Sequence, residues 1–273
     1  FLAGWVSWMA HSVACSLYAV SFGVFAAEFF FSVLGMPFLG ISKNLWQTIF
    51  TVGIIIIFGL INNRGVSLTG KVGGYISLTL LAILTAYLVF GFKKIIGTPE
   101  ILNFNFAPLL PLGLAGVLQA ASLFYIAFEG SEIQVQTGEE AKNPSRTLKI
   151  SLFASWAIIS ALYLLIAFVI IGATDSSGIS SWKILSVHSD RAIIESARQF
   201  LPWGAVLMVL GGLLANIAAL NATIYSSSRV LFSMARDKFV PPKLGEMHEV
   251  NRTPYRSTVL SIIAVIFVAL FFP

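Results

Sequence analysis

The sequence predicts an all-α integral membrane protein, a bundle of about seven transmembrane helices with one of them discontinuous. Three observations predict it. Of 273 residues, 57% are hydrophobic and only 11% are charged, against about 25% charge in a soluble domain. So small a polar supply does not cover a water-facing surface. The apolar residues fall in continuous runs, several longer than the roughly 18 residues that mark a bilayer span. The Lys and Arg residues lie between these runs, with none required at mid-bilayer.

The elements follow in order. The first span is predicted over about 1–33, long enough to tilt, and a turn at Gly35-Met36-Pro37 ends it. The second covers about 46–61 and stops at Asn62-Asn63-Arg64-Gly65. The third covers about 72–92, after which Lys93 and Lys94 open a polar loop with Pro99 and Asn105. The fourth starts near Leu109, breaks near 129–132 and resumes to Thr137, although Pro108, Pro111 and Gly113 delay a regular helix. A charged loop, Glu139 to Arg146, leads to the fifth span at about 148–171. A polar loop with Asp175, Asp190 and Arg191 precedes a long sixth span, about 203–234. A basic loop, Arg236 to Arg256, precedes the last, about 257–273. These runs are continuous and about twice the length of a barrel strand, so they read as helices, each satisfying its own backbone. All seven belong to one transmembrane domain.

Charge sets the orientation. One side of the predicted bundle holds Arg64, Lys71, Lys142, Arg146, Lys149, Arg229, Arg236, Lys238, Lys243, Arg252 and Arg256; the other holds Lys43, Lys93, Lys94, Lys183, Arg191 and Arg198. The richer side is predicted to be cytoplasmic, in a cell membrane, with the first span entering from the cytoplasm. Glu28 then lies near the outer end and is predicted to be wetted. The sequence pI of 9.4 reflects these flanking charges and not a nucleic-acid-binding patch. The start shows no signal peptide. Phe1 enters an apolar run at once and the other end stops inside one, so the chain reads as a fragment with missing flanking helices. Cys15, the single cysteine, allows no internal disulfide. No Walker loop, dinucleotide fingerprint or metal-ligand spacing occurs, and His11, His188 and His248 do not converge, so no catalytic site, metal or cofactor is expected. His11 is expected to be a packed polar residue.

The informative segment is Phe128-Glu129-Gly130-Ser131-Glu132. Gly130 tolerates unwound backbone, and Ser131 competes with the helical ladder for hydrogen bonds. At this depth free backbone groups persist only where they line a cavity or face protein. Discontinuous helices of this kind form the midplane sites of secondary transporters, where carbonyls hold an ammonium and N–H groups a carboxylate. The competing reading ends the helix at Phe128 and leaves Glu129 among the headgroups. An intramembrane acid favours the first.

Here a resemblance becomes specific. Tyr125 to Pro144, with Gly130 and Gly138-Glu139-Glu140-Ala141-Lys142-Asn143-Pro144, resembles the sixth helix and following loop of the amino acid–polyamine–organocation transporters. Leu220-Asn221-Ala222-Thr223-Ile224-Tyr225, with Ser228-Arg229-Val230-Leu231 and Met234-Ala235-Arg236-Asp237, is similar to that family's eighth helix. Arg252-Thr253-Pro254-Tyr255 is similar to the start of the ninth, and Gly4, Trp5 and Trp8 to the third. The resemblance covers essentially the whole chain, as helices three to nine. It implies part of a five-plus-five inverted-repeat fold, in which the absent first helix supplies half the site. It further implies alternating-access transport of an amino acid or related amine, with the piece alone inactive.

The implied substrate contacts are Ile126, Ala127, Phe128, Glu129, Gly130 and Ser131, mostly through backbone. Phe128 reads equally as an aromatic gate or a lipid-facing ring. Glu129 is placed to attract a cationic substrate or to carry a coupling proton if burial raises its pKa; Glu132 reads as vestibular. Asn221 and Thr223 read equally as substrate contacts or as glue between helices, and Asn216 likewise. Glu139 and Glu140, with Arg146 or Arg236, are the implied cytoplasmic gate. The lysine that some proton-coupled members carry in helix five is replaced by Leu80, so the coupling ion, proton or sodium, stays open. The alternative is a seven-helix receptor without transport, which the broken helix does not favour.

Overall fold

The computed structural model describes residues 1–36, 39–107, 109–128, 130–136, 143–175, 178–188 and 192–271. Helices dominate, and no strand occurs among the described residues. In chain order they are α1 (Leu2–Ala27), which runs on into a π-helical turn (Glu28–Val33), α2 (Lys43–Asn63), α3 (Val66–Gly97), α4 (Pro99–Asn105), α5 (Gly113–Ala127) and α6 (Ser131–Gln136). There follow α7 (Pro144–Gly172), α8 (Ser181–His188), α9 (Ala192–Phe200), α10 (Gly204–Arg236), a 3-10 turn (Pro242–Gly245) and α11 (Tyr255–Phe271). Among the described residues, five helices are long and apolar enough to cross a membrane: Leu2–Phe31, Lys43–Asn63, Ser67–Gly97, Pro144–Gly172 and Gly204–Arg236. Gly113–Phe124 and Tyr255–Phe271 are shorter apolar helices.

Several bounds differ from the hydropathy reading for local reasons. The fourth apolar run starts as a helix only at Gly113, whose φ is +60°; Pro111 just before it lacks a backbone donor. The polar stretch after Lys94 contains α4, begun by Pro99 in its first turn, a favoured place for proline. The polar loop after α7 contains α8 and α9. In α9 and just beyond, Ile194, Ala197 and Leu201 are buried; their spacing gives the short segment one apolar stripe. α7 starts at Asn143-Pro144: Asn143 adopts the left-handed conformation and its carbonyl accepts from Arg146 N and Thr147 N.

The chain forms two compact units, residues 1–81 with 209–273, and residues 82–208. In the first, α1, α2 and α11 pack on one another. Small residues allow the close approach, as lipid gives helices no hydrophobic drive to associate. A Cβ on Gly23 would overlap the Gln47 carbonyl and the Thr51 hydroxyl, and one on Gly59 would overlap Ile262. Gly4 faces Met234 and Gly212 faces Phe25, so α1 and α10 run antiparallel. Cys15, Ala19, Ile55, Leu220, Ile224 and Val265 fill the centre. Polar ties cross this apolar core. Trp8 Nε1 donates to Ser261 Oγ (2.9 Å), which also receives Ser227 Oγ (3.0 Å). Glu28 pairs with Lys43 at 3.2 Å.

Gly23→Ala is expected to destabilise the protein by about 1–3 kcal/mol, the usual cost of overpacking. The thermal midpoint of the purified protein measures this. The loss persists when Thr51 is also changed to alanine, because the Gln47 carbonyl remains in the way; full rescue by Thr51→Ala would contradict the packing described.

The second unit is tied by buried polar side chains. Asn105 Nδ2 donates to the carbonyls of Ile171 and Thr174, both at 2.9 Å, and its Oδ1 accepts from Ser181 N at 3.1 Å. One amide thus closes the end of α7 and starts α8. Ser196 Oγ lies 3.0 Å from both Tyr87 OH and Thr174 Oγ1. Gly91 lies against Val169, and Gly172 against Leu102 and Ile95.

Candidate functional site

The predicted break falls between two helices. α5 ends at Ala127 and α6 begins at Ser131, with Phe128 and Gly130 in turn conformation. Gly130 has φ of +102°, which an L side chain rarely adopts. A Cβ there would come no closer than 3.8 Å to its nearest neighbour, Ile133 Cδ1. Glycine is therefore needed for conformation and not for space. Ile133 N donates to the Gly130 carbonyl at 3.1 Å, closing the first turn of α6. α6 is held to α7 by Gln134 Nε2, which donates to Ser155 Oγ at 3.0 Å.

Phe128 is half-buried. Its ring stands edge-on to Tyr163 at 5.5 Å and to Trp156 at 6.3 Å. Tyr163 also meets Phe124 at 6.1 Å. An aromatic group on α7 thus braces the end of α5, and edge-to-face pairs of this kind fix ring orientation. Ile126 and Ala127 form the last residues of α5, and their side chains lie outside the described residues. So do Glu129, Glu139 and Glu140 entirely. Ser131 is half-buried at the start of α6.

Asn221 and Thr223 lie in the other unit. Both are buried, at 5% and 4% exposure, and both are engaged. Asn221 Oδ1 accepts from Asn62 Nδ2 at 3.1 Å, and its Nδ2 donates to the Thr69 carbonyl at 3.3 Å. One side chain on α10 therefore joins α2 and α3. Thr223 Oγ1 donates to Ala219 O at 2.8 Å, one turn back in its own helix. Asn216 does the same toward Gly212 O, also at 2.8 Å. Of the gate residues, Arg146 lies exposed in the first turn of α7 and Arg236 exposed in the last turn of α10, on different units. Among the predicted contacts, the structure brings together Phe128, Gly130 and Ser131.

Sequence reasoning did not single out the ties of α1, α11 and the α10–α11 loop. His11 is 8% exposed, with Nδ1 at 2.6 Å from Ser7 O and its Nε2 unpartnered among the described residues. Thr253 and Asn251 both bond the Asn63 carbonyl at the end of α2, at 3.0 and 3.1 Å. The Arg-Thr-Pro-Tyr motif is thus a latch that seats the loop. Trp8 and Ser261 are 253 residues apart, and no local pattern pairs them. A cleft of about 360 Å³ between α1, α2 and α11, lined by Gln47, Thr48 and Thr51, holds none of the predicted contacts. No group of three or more His, Cys, Asp or Glu that would hold a metal occurs among the described residues.

The chain is 29% identical over 154 residues to a branched-chain amino acid permease of Bacillus subtilis (strain 168), covering 56% of this chain and 32% of that protein. It is 24% identical over 273 residues to a methylthioribose transporter of the same organism, covering 96% of this chain and 55% of that protein. It is 30% identical over 172 residues to cationic amino acid transporter 5 of Arabidopsis thaliana, covering 61% of this chain and 28% of that protein. The chain therefore spans no more than about half the length of these curated relatives. The family model for amino acid permeases matches residues 1–273: the chain is a multi-pass membrane protein of the amino acid permease family.

Proposed function

We propose that this chain supplies helices three to nine of a secondary carrier that moves an amino acid or a related compound across the membrane by alternating access. The substrate's charged ends dock on main-chain groups of the segment around Gly130, between α5 and α6. The observation that carries this reading is Gly130 itself, at φ of +102° between two helix ends, in a chain of the amino acid permease family. Backbone carbonyl and N–H groups at an interrupted helix within a bilayer persist only where they line a cavity or face protein. An amino acid brings an ammonium and a carboxylate, the two charges those groups complement. The richer distribution of Lys and Arg puts the α2–α3 and α10–α11 connections in the cytoplasm, with α1 entering from that side. Family membership favours a carrier over a seven-helix receptor.

An uptake screen on the complete polypeptide, reconstituted in proteoliposomes, tests this. Amino acids of each charge class, amines and methylthioribose are offered; the last is included because a relative aligned with nearly the whole chain carries that name. Saturable uptake of at least one amino acid supports the reading, and uptake of none of these compounds refutes it.

Glu129 is proposed to set charge preference or carry a coupling proton. Glu129→Gln is expected to flatten the pH dependence of uptake or reduce the preference for cationic over neutral substrates by about tenfold, which corresponds to about 1.4 kcal/mol. Identical pH profiles and identical selectivity in the two proteins would remove this role.

A further inference from the structure

We propose that the end of the first unit formed by the α2–α3 turn and the α10–α11 loop binds anionic phospholipid headgroups. This inference rests on the chain's spanning a bilayer and does not depend on what is transported.

The loop is a fixed structure and not a tether. Lys238 N donates to Ala235 O (3.1 Å) and Phe239 N to Met234 O (2.9 Å), which closes the end of α10. His248 N donates to Thr253 O (2.8 Å) and Arg252 N to His248 O (2.9 Å). Asn251 Nδ2 and Thr253 Oγ1 donate to Asn63 O, and Ser257 Oγ donates to Leu244 O at 2.7 Å. These bonds place Arg252 beside Arg64 and hold the Lys243 turn against the start of α11.

The backbone makes a second point. Lys238 and Arg252 have φ of +63° and +50°, left-handed values at which a Cβ crowds the following carbonyl. The bonds at Lys238 are those of the helix-ending motif whose left-handed position glycine usually fills. For folding alone, glycine serves better at both sites. What lysine and arginine add there is an exposed cation on a rigid support.

Charge and apolar exposure complete the surface. Lys238, Lys243, Arg252 and Arg64 are exposed, and none makes an ion pair with a described residue. Glu246 is already paired with Arg256 at 3.0 Å, which leaves Asp237 and Glu249 as the loop's other acids. Between the cations stand three exposed apolar side chains: Phe239, Met247 and Val250, the last 83% exposed. α2 and α10, both long enough to span, end here, and α11 begins here. The surface therefore sits at headgroup level, where cations meet phosphate and the apolar side chains reach the acyl boundary. In the proposed orientation this is the cytoplasmic leaflet, the anionic one.

The test uses the complete protein in nanodiscs of phosphatidylcholine alone or mixed with phosphatidylglycerol, with retained lipid counted by native mass spectrometry. Lys238→Gly with Arg252→Gly is expected to leave thermal stability in phosphatidylcholine equal or higher, because left-handed strain is removed. It is expected to weaken phosphatidylglycerol retention about fivefold per charge, roughly 25-fold for the pair. Lys238→Asn with Arg252→Asn, which also tolerates the left-handed backbone, is expected to lose retention equally. Undiminished retention in either variant overturns the proposal. So does lower stability of the glycine variant in phosphatidylcholine, since the two cations would then be serving the fold. Displacement of phosphatidylglycerol by soluble glycerol phosphate at matched ionic strength overturns it as well, by showing a site for a free anion.

Discussion

Gly130→Ala in the complete carrier is expected to cut uptake at least tenfold while the protein still folds and inserts. At φ of +102° an alanine is strained by about 1–3 kcal/mol. Nothing else opposes the change, since the nearest atom to a Cβ would be 3.8 Å away. The chain escapes the strain by returning Gly130's position to helical or extended geometry. Either route joins or reorients the ends of α5 and α6, and so withdraws the backbone groups proposed to hold the substrate. A shift of 1.4 kcal/mol is already tenfold in a binding constant. Uptake of labelled substrate in proteoliposomes, read beside a size-exclusion profile of the same preparation, separates lost transport from lost folding. Wild-type uptake would mean that the left-handed geometry serves no transport step.

Asn105→Leu is expected to have the largest effect on stability, about 3 kcal/mol or more. The substitution leaves the Thr174 carbonyl and the Ser181 amide without Asn105, while the Ile171 carbonyl keeps its bond from the Ser181 hydroxyl. Asn105 is 2% exposed and Ser181 fully buried, so water does not substitute. Each orphaned buried group costs roughly 1–3 kcal/mol. Asn105→Asp keeps the acceptor for Ser181 N and loses both donations, so it should fall between wild type and leucine. Thermal unfolding of the purified complete protein ranks the three. A leucine variant as stable as wild type would show that the α7 end and α8 start are held by other contacts.

What the sequence made legible, and what it hid, follows from the range of each interaction. Helices are built from local bonds, so continuous apolar runs and small turn residues marked them. Gly130 with Ser131 announced an interruption because both act on their own backbone. Asn143-Pro144 read as part of a loop, with the span from about 148, whereas α7 already starts at Pro144, a place that favours proline. Asn105 gave no such sign. Its partners lie 66 to 76 residues away, and an isolated asparagine in a polar stretch reads as loop. The α8 and α9 helices were hidden because they are short and half polar, although the Ile194, Ala197, Leu201 spacing carried the signal. Asn221 was recognised as a polar residue on a helix within the bundle, but only the structure supplies Asn62 and Thr69 as its partners.

The claim on which the rest depends is that substrate occupies the segment between α5 and α6. Ser131 stands at its edge, half-buried, while Cys15 of this chain is fully buried. A single cysteine at Ser131, in a cysteine-free version of the complete carrier that still transports, reports occupancy through its rate of reaction with a water-soluble thiol reagent. Saturating transported amino acid should slow that reaction, with half-protection near the concentration that half-saturates uptake. A rate indifferent to substrate, in protein shown to transport it, would contradict the account.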